Sequence, residues 1–331
     1  MSNYAFIGGS GRSGTTILKQ ILRRHPQVAT SDEEWRFTID ADGLLDFYLS
    51  VTAGWTPQYY DARLRRLRAL LRLTGRKASP WTEAVKLLVQ RLGWESRLAW
   101  KTREAYATSH LAAECPRWDE LTSALLRDLT AFRYPGWWKG TPFGARKCMA
   151  FTPAPQPEQL AQRLGTFYRD VADGCMRQRN AAFHVDDHPQ MFLWFHKWLR
   201  LVPEARMVHI YRDPRDVVAS YATKRWAPAD PVLSARVLCA TMEHWFRVKQ
   251  DIPAASLLEV RMETLMEDTE ATLRGIAGFL GIPWHEAMLE VDLRHAHSGR
   301  WRQEFTHVQK REVQSTLAGV MKAMGYEEEP A

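Results

Sequence analysis

Tyr4-Ala5-Phe6-Ile7-Gly8, continuing as Gly9-Ser10-Gly11-Arg12-Ser13-Gly14-Thr15-Thr16 and then Ile17-Leu18-Lys19-Gln20-Ile21-Leu22, is the stretch that decides the fold. A short apolar run leads into a glycine-rich turn and then into an apolar pattern of helical period. Such a turn aims several backbone N–H groups, and the positive end of a helix dipole, at one spot that suits phosphate. The spacing of Gly9 to Thr16 fits G-x-x-x-x-G-K-S/T, except that Thr15 stands where a lysine would reach the β- and γ-phosphates of a nucleoside triphosphate. The local cation is Arg12 instead, two residues before Gly14. The loop is therefore expected to grip a phosphate of something other than ATP or GTP.

Three more short apolar runs, at 181–185, 206–211 and 256–260, read as buried parallel strands beside 4–8. Polar turns and helical patterns follow them, giving helices over about 15–24, 189–201, 214–223, 232–250 and 270–280. This alternation predicts an α/β chain built on a doubly wound parallel sheet. Pro214 suits the first turn of its helix, and Gly281, with Pro283 beyond it, closes another. Between Trp35 and Asn180 the pattern changes to amphipathic helical stretches (58–73, 81–92, 118–131 and 159–179) without a convincing strand. The reading is one domain with a large helical cap inserted, the core being 1–36 and 181–331 and the cap about 37–180. Eight of the fourteen tryptophans fall from Trp35 to Trp138, where they either line an acceptor pocket or pack the cap's own core.

At 331 residues the chain is long enough for one α/β domain with such an insertion. Its net charge of +7 suits an anionic ligand, or simply a basic surface. Nucleic acid is the weaker reading, because the basic run 63–68 reads as a helix face and no nucleic-acid module accompanies it. Cys115, Cys148, Cys175 and Cys239 have neither metal-ligand nor disulfide-framework spacing, so no metal and a reducing compartment are expected. No apolar run approaches the ~18 residues of a membrane span. The first strand leaves no room for a leader before it, and a cytoplasmic location is the expectation.

The second informative run is Met207-Val208-His209-Ile210-Tyr211-Arg212-Asp213-Pro214-Arg215-Asp216-Val217-Val218-Ala219-Ser220-Tyr221. A strand ends at Arg212 and a helix starts at once, with Asp213 and Asp216 in its first turn, where negative charge suits the dipole. Ser220 lies two turns along from Arg212. An arginine at a strand end and a hydroxyl on the adjoining helix would grip one phosphate from two directions. The plainer alternative is a capped surface helix with a solvated arginine.

Taken together, the two anion grips resemble those of the sulfotransferases that use 3′-phosphoadenosine 5′-phosphosulfate (PAPS). The run Phe6 to Thr16 is similar to the family's 5′-phosphosulfate loop, and Arg212 with Ser220, eight apart, to its 3′-phosphate grip. Leu201-Val202-Pro203-Glu204-Ala205-Arg206, Phe279-Leu280-Gly281-Ile282-Pro283-Trp284, Ser298-Gly299-Arg300-Trp301-Arg302 and Met324-Gly325-Tyr326 add to the likeness, which covers 4–36 and 181–326 and hardly touches the cap. The resemblance implies a P-loop-type sheet flanked by helices. It also implies in-line transfer of a sulfuryl group from PAPS to a hydroxyl or amine, with adenosine 3′,5′-bisphosphate (PAP) as product and no metal required. Gly11, Arg12, Ser13, Gly14, Thr15 and Thr16 would hold the 5′ end, and Arg12 would stabilise charge on the bridging oxygen as the S–O bond breaks. Arg212, Ser220 and Lys224 would hold the 3′-phosphate, and Arg300 and Trp301 would close over the nucleotide, with Arg225 and Arg302 read as surface charges.

The segment Ser31-Asp32-Glu33-Glu34-Trp35-Arg36 resembles the part of the tyrosylprotein-sulfotransferase branch that carries a glutamate base and an acceptor-positioning arginine. With one residue inserted, Glu34 takes the base position and Arg36 the arginine position; without it, Glu33 is the base. Burial would raise such a carboxylate towards ~6–7. Trp35 and Arg36 are expected at the acceptor. An acidic helix start or solvated turn is the bland alternative.

Two departures stand out. Relatives often carry Lys-x-Pro before the helix that precedes the 3′-phosphate strand, but here the stretch is Asp186-Asp187-His188-Pro189. Either Arg12 acts alone or another cation, such as Lys139 or Lys197, reaches in. Asp187 and His188 become candidates for acceptor binding or base work, His188 being equally a helix-entry residue. Met262 also stands where relatives often have a tyrosine near the nucleotide. Rival readings are a P-loop small-molecule kinase, which the missing loop lysine disfavours, and an inactive nucleotide-binding relative. The acceptor is expected to be a small molecule, glycan or lipid, and a peptidyl tyrosine is less expected.

Overall fold

A computed structural model describes residues 3–75, 111–136, 148–293 and 299–329. Its strands are β1 (Tyr4–Gly8), β2 (Val28–Thr30), β3 (Phe132–Pro135), β4 (Cys148–Phe151), β5 (Phe183–Asp186), β6 (Arg206–Tyr211) and β7 (Leu257–Arg261). The chain divides into two compact units, Met1–Thr30 with Ala182–Leu199 and Glu204–Ala331, and Ser31–Ala181 with Arg200–Pro203. Residues 31–36, assigned to the core by the sequence, group with the second unit.

The first unit is built on a five-stranded sheet of order β2-β5-β1-β6-β7. Every pairing in it is parallel. β1 is central and wholly buried, and its residues alternate between faces as a pleated strand requires. Ala5 and Ile7 pack on one side with Leu18, Ile21 and Leu22 of the helix Thr15–Arg23 and with Leu273, Ile276 and Leu280 of Thr269–Leu280. Phe6 faces the other side, edge-on to Phe195 and Trp198 of the helix Met191–Trp198. Helices thus cover both faces, the doubly wound arrangement expected. From β1 the chain first builds outward to β2, then returns through β5 and crosses to β6, so the strand order reverses around β1. Ligands of open parallel sheets sit at the carboxyl ends of the strands beside such a switch point.

Helix ends follow the local chemistry. Asp213 caps Pro214–Tyr221 by accepting from the Arg215 N–H, with Pro214 in the first turn. Gly281 closes Thr269–Leu280 at φ 75°, and the Ile282 N–H reaches back to the Ala277 carbonyl at 3.1 Å. The expected strands at 181–185 and 256–260 begin one or two residues late, and the helix expected over 189–201 is confined to Met191–Trp198. β2 was not expected at all. Its three residues are too few to show a period, and pairing with β5 makes them a strand.

The second unit contains the helices Leu44–Ala53, Pro57–Gly75, Trp118–Asp128 and Pro157–Arg179. The expectation of helices alone is corrected by an antiparallel hairpin, β3 with β4. β3 carries a proline and is largely exposed, so no apolar run marked it. The helix expected over 81–92 lies outside the described residues. Trp35, Phe37, Trp118, Phe167 and Tyr168 form an aromatic core in this unit, with ring centroids 5.2–6.0 Å apart in the successive contacts.

Candidate active site

Past Gly8 the chain turns through backbone that few side chains tolerate. Gly11, Arg12 and Gly14 have φ of 76°, 58° and 112°, all left-handed. A Cβ on Gly9 would stand 2.3 Å from Ser13 Oγ and 2.6 Å from the Ile210 carbonyl oxygen, so only glycine fits. A Cβ on Gly14 would meet Met262 Sδ at 2.7 Å. Met262 therefore packs under the loop as an apolar floor. The helix Thr15–Arg23 starts from Gly14 with no side-chain cap. Its first N–H groups are left to the loop, as an anion site requires.

Three bonds fix this loop within the first unit. The Gly9 N–H donates to the Pro189 carbonyl at 2.9 Å. The Tyr221 hydroxyl donates to the Ser10 carbonyl. Arg12 Nε donates to Ser220 Oγ at 2.9 Å. The last bond spans 208 residues of sequence and brings the loop after β1 and the helix Pro214–Tyr221 to one place. It also turns the Arg12 head towards the helix Pro214–Tyr221, on the β6 side of the loop.

Arg212, at the end of β6, is held by Asp216, Nη2 to Oδ2 at 3.1 Å. The Asp216 carboxylate is wholly buried and accepts two more bonds, from the Gly299 N–H at 2.7 Å and the Trp301 N–H at 3.3 Å. One carboxylate thus joins the arginine to the loop that precedes the helix Trp301–Glu304. Lys224 lies half-buried just past Pro214–Tyr221, its N–H donating to the Tyr221 carbonyl at 2.7 Å. Arg300 pairs with Glu304 at 2.7 Å.

Trp301 differs from its expected part. It is buried, with the guanidinium of Arg215 4.3 Å from its ring centroid and that of Arg302 5.1 Å away. Its ring is a core plate and offers no face to a nucleotide. Trp35 likewise sits in the aromatic core of the second unit with no exposed surface, so it is not an acceptor contact. Both corrections share one cause: tryptophan beside a motif is more readily used for its buried area than for its edge.

Glu34 is partly exposed and pairs with Arg36 at 3.2 Å, and Arg36 also reaches Asp40 at 3.4 Å. Glu33 is exposed. The burial expected of a carboxylate base is absent from this arrangement, and Arg36 is engaged by acids of its own segment. His188 is buried, and its carbonyl accepts from the Met191 N–H at 2.9 Å, which is the helix-entry role. Asp187 is not a free base: its Oδ1 lies 2.9 Å from Lys19 Nζ, both side chains nearly buried. Lys197 lies over the ring of Trp194, 5.3 Å from its centroid, and Lys139 is outside the described residues.

Lys19 and Asp216 are what the sequence reading missed. Lys19 stands four residues after Thr15, hence on the same helix face, and that spacing was the available signal. Asp216, which suits the helix dipole, also lies four residues from Arg212, and that is ion-pair spacing.

The family model described as Sulfotransferase family matches residues 5–77 and 86–286. The chain belongs to the sulfotransferase family, and it is a sulfotransferase enzyme by that membership. Comparison with curated protein sequences finds no significant match. Among solved structures the chain is similar to the sulfotransferase domain of the Synechococcus PCC 7002 olefin synthase, at 15% identity over 98% of this chain and 94% of that one, with a TM-score of 0.47. It is similar to the sulfotransferase domain of the curacin biosynthetic pathway at 14% identity, 99% coverage of each chain and a TM-score of 0.48. A sulfotransferase from Mycobacterium avium is 12% identical, with 100% of this chain and 79% of that one covered and a TM-score of 0.47. No helix among the described residues is long and apolar enough to cross a membrane.

Proposed function

We propose that this sulfotransferase uses PAPS as donor and moves its sulfuryl group to a hydroxyl of a small-molecule, glycan or lipid acceptor. The observation that carries the reading is the Arg12–Ser220 bond at 2.9 Å, because it sets the phosphate loop and the 3′-phosphate motif side by side at the switch point. The cradle suits a bisphosphorylated nucleotide: a loop closed to any Cβ at Gly9, an uncapped helix start, and an arginine at the end of the next strand. A lysine aimed at a γ-phosphate is missing where PAPS has none.

When bound, PAPS would supply a sulfuryl group joined to its 5′-phosphate as a mixed anhydride, and that phosphate, as PAP, leaves readily once its charge is met. Backbone N–H groups from Ser13 to Thr16 hold the 5′-phosphate, and the Thr15 and Thr16 hydroxyls add bonds. Arg212, Ser220 and Lys224 hold the 3′-phosphate. Arg12, already at Ser220, spans the two sites. Glu34, with Glu33 as the alternative, takes the proton from the acceptor hydroxyl.

The test is isothermal titration with PAP, against ATP·Mg, on wild type and Arg212→Ala. Micromolar PAP binding that the variant weakens by ~1.5–3 kcal/mol, the range of a charge-assisted bond, supports the reading. Preference for ATP·Mg, or an unchanged variant, overturns it.

A further inference from the structure

We infer that Lys19 is the cation that meets the terminal sulfuryl group, with Asp187 as the residue that positions it. The inference rests on the PAPS reading above and concerns its one unassigned charge.

Strand order gives the direction. In the series β5-β1-β6, the 3′-phosphate grip lies at the end of β6, and the 5′-phosphate loop follows β1. A nucleotide held at both points runs from β6 towards β1, so whatever extends beyond its 5′-phosphate continues towards β5. The first residue past β5 is Asp187, and its partner is Lys19, 2.9 Å away. A second tether, the Gly9 N–H to the Pro189 carbonyl at 2.9 Å, holds the 187–189 segment against the start of the loop. The ion pair is therefore beside the loop, on the side where the transferring group must lie.

Charge gives the reason. Arg12 is drawn to Ser220 on the β6 side, which leaves the β5 side of the loop to another cation. Lys19 rises from the helix one turn after Thr15, and its side chain is 11% exposed. A nearly buried ammonium holds its charge at a cost in solvation, and a carboxylate partner lowers that cost. Asp187 also restricts a four-carbon stem that would otherwise sample many rotamers. In the transfer, the bond from sulfur to the bridging oxygen breaks with its electron pair left on the phosphate. A new bond forms from the acceptor oxygen to sulfur, and the acceptor proton leaves to a carboxylate. Lys19 takes no part in the proton traffic. It offsets the negative charge of the sulfuryl oxygens throughout.

PAP and PAPS differ by that group alone, so equilibrium binding separates Lys19 from the rest of the site. The probes are PAP and PAPS themselves, titrated without acceptor. Three proteins are compared: wild type, Lys19→Arg, and the double variant Lys19→Met/Asp187→Leu, which removes the pair without stranding a buried charge. Thermal melting of each establishes folding. In the double variant the Kd for PAPS is expected to rise at least tenfold while that for PAP stays within twofold, and Lys19→Arg keeps the wild-type ratio. Equal changes for both ligands, or no change for either, in a folded double variant overturn the inference and make the pair structural. A wild type that binds neither ligand overturns the PAPS reading instead. Should the double variant not fold, the same ratio measured in Lys19→Gln, which keeps a hydrogen bond to Asp187 without the charge, decides the matter.

Discussion

The guanidinium of Arg212 sits 3.1 Å from the buried carboxylate of Asp216, and that same carboxylate receives the N–H groups of Gly299 and Trp301. The arginine proposed to hold the 3′-phosphate is thus aimed by an acid that also anchors the backbone at Gly299 and Trp301. Replacing Asp216 with Asn keeps an acceptor but removes the charge, so the bonds weaken by about half. The expected outcome is PAP binding weakened about 3–30-fold, or ~0.7–2 kcal/mol. Faster hydrogen exchange at the Gly299 and Trp301 amides should accompany it. Unchanged exchange would show that the loop is held by other contacts.

For the base, Glu34→Gln is expected to reduce turnover about 10²–10⁴-fold while PAP affinity stays unchanged. Glu33→Gln should have little effect. The reverse pattern would move the role to Glu33, and two inert variants would remove both from the mechanism.

At Gly14 the backbone has φ 112° and a methyl group would meet Met262 Sδ at 2.7 Å. Gly14→Ala is therefore expected to lower stability by ~1–3 kcal/mol and to weaken PAP binding at least tenfold. Denaturant titration and calorimetry measure the two effects separately. Adding Met262→Ala relieves the clash but not the strain, so the double variant recovers only part of the loss.

How much of this was legible in the sequence depends on reach. The glycine-rich turn after β1, the helix start at Pro214 and the Gly281 stop are each written within a few residues, and the glycines and proline at those points signal their backbone directly. Lys19 and Asp187 lie 168 residues apart, so neither residue's neighbours reveal the other. β2 is three residues long, below the length at which a period of two shows, and β3 is largely exposed and ends in a proline, so no apolar run marks its pairing with β4. Trp301 and Trp35 were placed by their proximity to motifs, whereas packing had claimed both rings.

Tyr221 ties the loop through its hydroxyl to the Ser10 carbonyl, and burial pushes that hydroxyl up to about 12. It stays protonated, and able to donate, across the neutral range. Tyr221→Phe should cost about 0.5–1.5 kcal/mol of stability, and the difference should be flat from pH 6 to pH 9. A difference that shrank as pH rose would mean that the wild-type hydroxyl titrates in this range.

His209 supplies a pH dependence of the opposite kind. It is buried in β6, stacked 5.2 Å from Phe192, with Nδ1 3.2 Å from Glu259. Burial lowers its pKa below the ordinary 6.5, more than Glu259 restores. Burial works against the charge on Glu259 too, but His209 and Lys249 hold its pKa down to about 2. Below about pH 6.5 the unfolded chain takes up a proton on this histidine that the folded chain refuses. Stability should therefore fall as pH drops from about 6.5 towards the folded value, by at most about 1.4 kcal/mol per pH unit. His209→Phe keeps the stack and should remove this part of the slope in melts between pH 8 and pH 5.

The position of β1 at the centre of its sheet has a consequence for synthesis on the ribosome. β1 is made first, yet its two neighbours, β5 and β6, begin at Phe183 and Arg206. At about 5–20 residues per second the strand waits roughly 10–35 s for either of them. The segments of the second unit from Ser31 to Ala181 emerge in that interval and can settle first. Meanwhile Phe6 and Ile7 remain without their sheet. Until then these positions lack the strands that cover them, so the yield of folded chain on overexpression should respond to chaperone supply.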